Sequence, residues 1–86
     1  MRLSIIIPVF NEEKTISEIL RRVNGVEISG VEKQIIVVND GSSDGTKKAI
    51  SNSSVRSSIE VINHTKNQGK GAAVRTGIKN STGDYI

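Results

Sequence analysis

The chain has 86 residues, no cysteine, one histidine, 24% charged residues and a net charge of +3, with Phe10 and Tyr85 as its aromatic residues. Such a length fits one small domain or part of a larger one, and it buries only about 60% of its unfolded surface, so marginal stability is expected. The composition excludes disulfide staples and thiolate metal sites, leaves His64 unable to form a zinc centre alone, and offers no aromatic platform for single-stranded nucleic acid.

Residues 3–9 read as a first buried strand ended by Pro8, which has no N–H for a sheet ladder. Serine and proline interrupt this apolar run and acids follow it, unlike a signal peptide. No stretch approaches the roughly 20 apolar residues of a membrane span, so a cytoplasmic location is expected. Asn11 is a candidate N-cap, Glu12 and Glu13 suit the positive end of a helix dipole, and Ile16, Ile19, Leu20 and Val23 form one helical stripe. The first helix is therefore expected over residues 12–23, with Gly25 just past its end.

The second strand, residues 33–39, carries Ile35-Ile36-Val37-Val38, a β-branched run suited to burial on both faces of a parallel sheet. It stops at Asn39-Asp40-Gly41, a turn signal that leaves the Asp40 carboxylate at the strand's carboxyl end, where open α/β sheets hold their ligands. Ser42, Ser43 and Asp44 are candidate caps for a short, weak helix over 45–52. For Asp44 the N-cap role is preferred; for Asp40 the structural alternative is a turn residue. After a serine-rich connector, Ile59, Val61 and Ile62 make a third strand. A loop containing His64, Asn67 and Gly69 then leads to a third helix over 70–79, whose small residues Ala73 and Gly77 allow a close approach to the sheet. His64 is read as a solvated or capping loop residue. Asp84-Tyr85-Ile86 starts a fourth strand.

The order β-α-β-α-β-α-β implies a parallel, Rossmann-like α/β sheet. Charge is uneven, −1 over residues 1–43 and +4 over residues 44–86. That excess is read as a solvated surface, although it could favour a phosphate-bearing partner. Several motifs fail. Asp40-x-Ser42-x-Asp44-Gly45 resembles the start of a calcium loop, but its twelfth position is Ser51. Gly69-Lys70-Gly71 lacks both the first glycine and the Ser/Thr of a P-loop. A receiver-like signalling domain would need an acidic cluster after the first strand, which is missing.

Four segments, Ile5-Ile6-Ile7-Pro8-Val9-Phe10-Asn11-Glu12-Glu13, Val37 to Thr46, Asn67 to Gly77 and Gly83-Asp84-Tyr85-Ile86, together resemble the opening of family 2 glycosyltransferases of GT-A fold. The third, with Ala73-Val74-Arg75 after Gly69-Lys70-Gly71, is similar to the polyprenyl-phosphate branch. The resemblance implies that Pro8, Phe10, Asn11 and Glu12 shape a loop holding the nucleoside of a UDP- or GDP-linked sugar. Asp40, with Ser42 beside it, would accept an N–H of the base. Gly69 and Gly71 would permit close backbone approach. Lys70 and Arg75 are candidates for the diphosphate, a solvent-facing role being the alternative for Arg75.

In the family an Asp-x-Asp motif follows the Gly83-Asp84-Tyr85-Ile86 segment and holds Mg²⁺ or Mn²⁺. The expectation is thus a single, incomplete nucleotide-sugar-binding subdomain over 1–86, ending before that motif. It has no catalytic or metal residues of its own, binds no cofactor alone, and is inactive by itself. The enzyme it implies is an inverting glycosyltransferase with an acceptor such as polyprenyl phosphate, meeting a membrane only through that lipid. The alternative is a non-catalytic nucleotide-binding or self-associating module, recruiting another chain through the edge of its first strand in a sheet of order 3-2-1-4.

Overall fold

A computed structural model of the chain describes residues 1–85. Its centre is β2 (Glu32–Asp40), in which residues 34–40 are all buried. It pairs in parallel with β1 (Arg2–Val9) on one side and β3 (Glu60–His64) on the other. Ile35 and Val37 point to one face and pack with Val9, Ile16, Leu20, Ile50 and Ile59. Ile36 and Val38 point to the other face, against Ala73 and Ile62. A β-branched run buried on both faces explains why this strand is central, each such side chain contributing about 1.5–3 kcal/mol.

Helices α1 (Ile16–Gly25) and α2 (Thr46–Ser51) cover the first face, and α3 (Lys70–Asn80) the second. The connector before β3 contains a short 3-10 turn, Arg56–Ser58, that its serine-rich sequence did not signal. The third helix lies close to the sheet because Gly77 has no side chain: a Cβ there would stand 3.0 Å from Ile6 Cγ1 and 3.2 Å from Ile6 Cβ. The fold is the expected parallel α/β arrangement.

Three local expectations are corrected. The first helix begins at Ile16, not at residue 12, and Asn11 does not cap it. Asn11 adopts a left-handed backbone (φ 52°), and the Thr15 and Ile16 N–H groups both donate to the Glu12 carbonyl, so residues 12–15 form a turn. Gly25 is the last residue of α1 instead of lying past it; the carbonyls of Val23, Asn24 and Val26 accept from Lys33 Nζ, a basic C-terminal cap. β1 ends at Val9 as expected, but Pro8 lies inside it and is not what ends it. Ser4 N–H donates to the Tyr85 carbonyl on the outer edge, and N–H directions alternate along a strand, so the missing donor of Pro8 falls on that same edge.

The parallel bridge between Leu3 and Tyr85 sets the end of the described chain beside β1, as in the order 3-2-1-4. Ile86, the last residue of the expected fourth strand, lies outside the described residues. Gln34 pins this segment: its Oε1 accepts Ser4 Oγ at 2.6 Å and Thr82 N at 2.8 Å, while Gly83 N donates to Ser4 Oγ at 2.9 Å. Among the described residues no helix is long and apolar enough to cross a membrane.

Candidate functional site

At the carboxyl ends of β1 and β2 lies a cavity of about 350 Å³ lined by Pro8, Val9, Phe10, Glu12, Asp40, Asn67, Lys70 and Ala73. Each lining group has a local reason to be there. Pro8 and Val9 close β1, and Phe10, 46% exposed, sits at the bend that follows. Glu12 is fixed by its backbone, whose N–H donates to Thr46 Oγ1 at 2.8 Å. Thr46 is fully buried at the start of α2, so this bond ties the loop after β1 to the loop after β2. Ala73 forms the apolar floor, and Lys70 starts α3, whose N-terminal end favours negative charge.

Asp40 ends β2 and is only 3% exposed. Its Oδ1 accepts His64 Nδ1 at 2.7 Å and the Gln68 N–H at 2.9 Å; its Oδ2 accepts the Gly69 N–H at 2.9 Å and Asn67 Nδ2 at 3.1 Å. These four donors match the roughly four acceptor positions of a carboxylate. The His64 hydrogen bond, then those from the Gln68 and Gly69 backbones, hold the Asp40 carboxyl below the usual carboxylate range. Asp40 is thus the anchor of the segment that leads from β3 into α3.

His64 is the residue most differently placed from its sequence reading. It is not a solvated loop residue but the end of β3, paired in register with Asp40. Its side chain is 9% exposed, and Nε2 lies 2.9 Å from Thr76 Oγ1 on α3. The ring thus links the Asp40 carboxylate at the end of β2 to the Thr76 hydroxyl on α3. A third strand extended to His64 and set opposite Asp40 would have revealed the pair, because parallel register fixes which residues stand side by side.

The remaining expected residues divide. Gly69, at φ +96°, contributes its N–H to Asp40. Asn11 and Ser42 join two loops: Asn11 N–H donates to Ser42 Oγ at 3.0 Å, Ser42 Oγ donates to Asn39 Oδ1 at 2.5 Å, and Ser43 N–H donates to Asn11 Oδ1 at 2.9 Å. Ser42 and His64 line a separate cleft of about 420 Å³ with Asn39, Gly41, Lys47, Asn63 and Thr65. Gly71 is exposed in the first turn of α3, and the exposed Arg75 carries its guanidinium back towards it. The structure therefore gathers Pro8, Phe10, Glu12, Asp40 and Lys70 at one cavity, while Asn11, Ser42, Gly69, Gly71 and Arg75 stand outside its lining. Asp44 is not the N-cap that the sequence suggests: Gly45 holds that position, and Asp44 stands one residue before it, its Oδ1 accepting the Thr46 N–H at 2.9 Å and the Thr46 hydroxyl, the hydroxyl bond leading in lowering its carboxyl.

The residues here do not fit a divalent metal. Among the described residues no three or more His, Cys, Asp or Glu side chains cluster as ligands. Asp40 is saturated by protein donors, and Asp84 Oδ2 accepts the Arg2 N–H at 3.0 Å.

A family model described as Glycosyl transferase family 2 matches residues 4–86. A prophage bactoprenol glucosyl transferase homolog of Escherichia coli K12 is 36% identical over 88 residues, covering 100% of this chain and 29% of the relative. The dolichol-phosphate mannosyltransferase of Pyrococcus furiosus is 34% identical over 86 residues, covering 100% of this chain and 24% of that protein. Among solved structures, the mannosyltransferase PcManGT from Pyrobaculum calidifontis, in complex with GDP-Man and Mn²⁺, matches with a TM-score of 0.79 and 25% identity over 96% of this chain and 25% of its own. Staphylococcus aureus TarS 1-349 matches with a TM-score of 0.82 and 26% identity over 100% of this chain and 27% of its own. The chain spans under a third of the length of these relatives.

Proposed function

The chain belongs to glycosyl transferase family 2, and from that premise we propose that it is the nucleotide-sugar-binding part of an inverting glycosyltransferase. The donor is a UDP- or GDP-linked sugar and the acceptor a polyprenyl phosphate. The observation that carries the reading is the cavity at the carboxyl ends of β1 and β2, which collects Pro8, Phe10, Glu12, Asp40 and Lys70 from segments far apart in sequence. Its volume suits a nucleoside. The base lies against Phe10 and Ala73 near Asp40, and Lys70 meets the diphosphate as a point charge. The bactoprenol and dolichol-phosphate relatives support the lipid-phosphate acceptor, and the GDP-Man complex supports a nucleotide-linked donor.

In this reading, Mg²⁺ or Mn²⁺ is held by residues outside this 86-residue stretch, and no step is routed through a metal here. The protein works in the cytoplasm and meets the membrane through its lipid acceptor. The 86-residue chain alone has no transferase activity. Titration of UDP and GDP with and without Mg²⁺, followed at the backbone amides of Asp40 and Glu12, tests the reading. Saturable shifts with little metal dependence support it; a folded chain that shows none refutes it.

A second reading, a self-associating module, rests on the edge of β1. Among the described residues, backbone bonds on that edge reach only Arg2 and Ser4, although Pro8 blunts its far end. A concentration-dependent dimer in sedimentation favours this reading, and a clean monomer excludes it.

A further inference from the structure

Asp40 cannot read a base while all four of its acceptor positions are filled, so one donor must leave. Three of the four are fixed. The Gln68 and Gly69 N–H groups belong to the backbone entering α3, and His64 is clamped at its other nitrogen by Thr76. The fourth is the side-chain amide of Asn67, an exposed residue on the cavity wall. Its bond to Oδ2 is the longest of the set, at 3.1 Å, and the same Nδ2 also donates to the Asp40 carbonyl at 3.2 Å. A shared donor on a rotatable, solvent-facing side chain is the weakest tie and the one that can swing away.

We propose that the Asn67 amide is a placeholder for the nucleobase, occupying the Asp40 Oδ2 position that a ring N–H takes when nucleotide binds. This deepens the nucleotide-binding reading and rests on it. The chemistry matches: uracil N3–H and guanine N1–H are neutral amide-type donors, each beside a carbonyl, like the group they displace. Because one amide hydrogen bond replaces another, the exchange nearly balances, and Asn67 holds down the affinity for a base that donates to Oδ2.

The test is Asn67→Ala in the 86-residue chain, titrated by NMR with UDP, GDP and their ring-N-methylated forms, N3-methyl-UDP and N1-methyl-GDP. Removing the competitor leaves Oδ2 with an open acceptor, so the nucleotide that binds the parent chain should bind the variant about three- to tenfold more tightly. The gain should vanish for the methylated nucleotide, whose ring nitrogen has no N–H left to donate to Oδ2. That contrast separates displacement from a general loosening of the loop, which would alter both ligands alike. Equal or weaker binding by the variant, or an equal gain for the methylated form, overturns the placeholder role and leaves the nucleotide site standing. Failure of both proteins to bind any nucleotide overturns the site itself, and the placeholder with it.

Discussion

The seating of α3 on the sheet can be tested by adding a single methyl group. In Gly77→Ala the new Cβ would lie 3.0 Å from Ile6 Cγ1 and 3.2 Å from Ile6 Cβ, with Cγ2 nearer still. These atoms branch directly from the β1 backbone, so Ile6 cannot swing clear; either the helix lifts or the strand shifts. Overpacking of this kind costs about 1–3 kcal/mol. Against it stands the helix preference of Ala over Gly, about 1 kcal/mol in the other direction. The clash should win, giving a net loss of about 1 kcal/mol, or roughly 4–8 °C in melting temperature for a chain of this size. Urea denaturation of four proteins, the parent, Gly77→Ala, Ile6→Ala and the double variant, closes a double-mutant cycle. With Ile6 cut back, the same glycine replacement should become stabilising by up to about 1 kcal/mol. Gly71→Ala supplies a control of opposite sign, because the contact near its Cβ is the flexible tip of Arg75 at 3.4 Å. If Gly77→Ala stabilises the parent, or costs the same in both backgrounds, the account of close packing against Ile6 is wrong.

Other consequences follow from the loops around the cavity. Gly41 sits at φ +67° with the Lys66 and Asn67 backbone where a Cβ would go, so Gly41→Ala should cost at least about 2 kcal/mol in urea unfolding. Thr46→Val keeps the shape but leaves the Glu12 N–H without its acceptor; a loss of about 1–3 kcal/mol is expected, with amide shift changes spreading from Glu12 towards Phe10. The depressed Asp40 carboxyl has a definite sign. Its contribution is fully present above the ordinary value of 3.8 and is lost as pH falls from there through the lower folded value. Urea midpoints measured between pH 5 and pH 2 should therefore fall less steeply for Asp40→Asn than for the parent.

Much of this was legible in the sequence because local patterns and tertiary burial agree. The run Ile35-Ile36-Val37-Val38 suited a strand covered on both faces, and of the expected stripe Ile16, Ile19, Leu20 and Val23 all but Ile19, which is exposed at the stripe's margin, face the core. The start of α1 was not legible. Asn11 and the two glutamates favour a helix locally, yet Ser42, Ser43 and Thr46 bind the Asn11 and Glu12 backbone and the Asn11 side chain from another loop, and that tertiary contact holds Asn11 in a left-handed turn.

The site divides along the same line. Asp40 at the end of a buried strand was visible as a candidate site residue, and the cavity includes it. What surrounds it was not visible, since the donors come from residues 24 to 29 positions away and depend on the register of β3. His64 illustrates the cost of stopping the third strand at Ile62: two more residues turn a loop histidine into the largely covered link between Asp40 and Thr76. Gln34, a polar residue inside an apolar strand, likewise makes sense only once Ser4 and Thr82 stand beside it.

The central claim is that nucleotide binds in the cavity between the carboxyl ends of β1 and β2 and the start of α3. It is tested most directly by intermolecular NOEs between base or ribose protons of UDP or GDP and the side chains of the 86-residue chain. The account predicts cross-peaks to the Phe10 ring and the Ala73 methyl, both on the cavity lining. Cross-peaks to Thr65 or Lys47 instead would place the nucleotide in the neighbouring cleft and contradict the account.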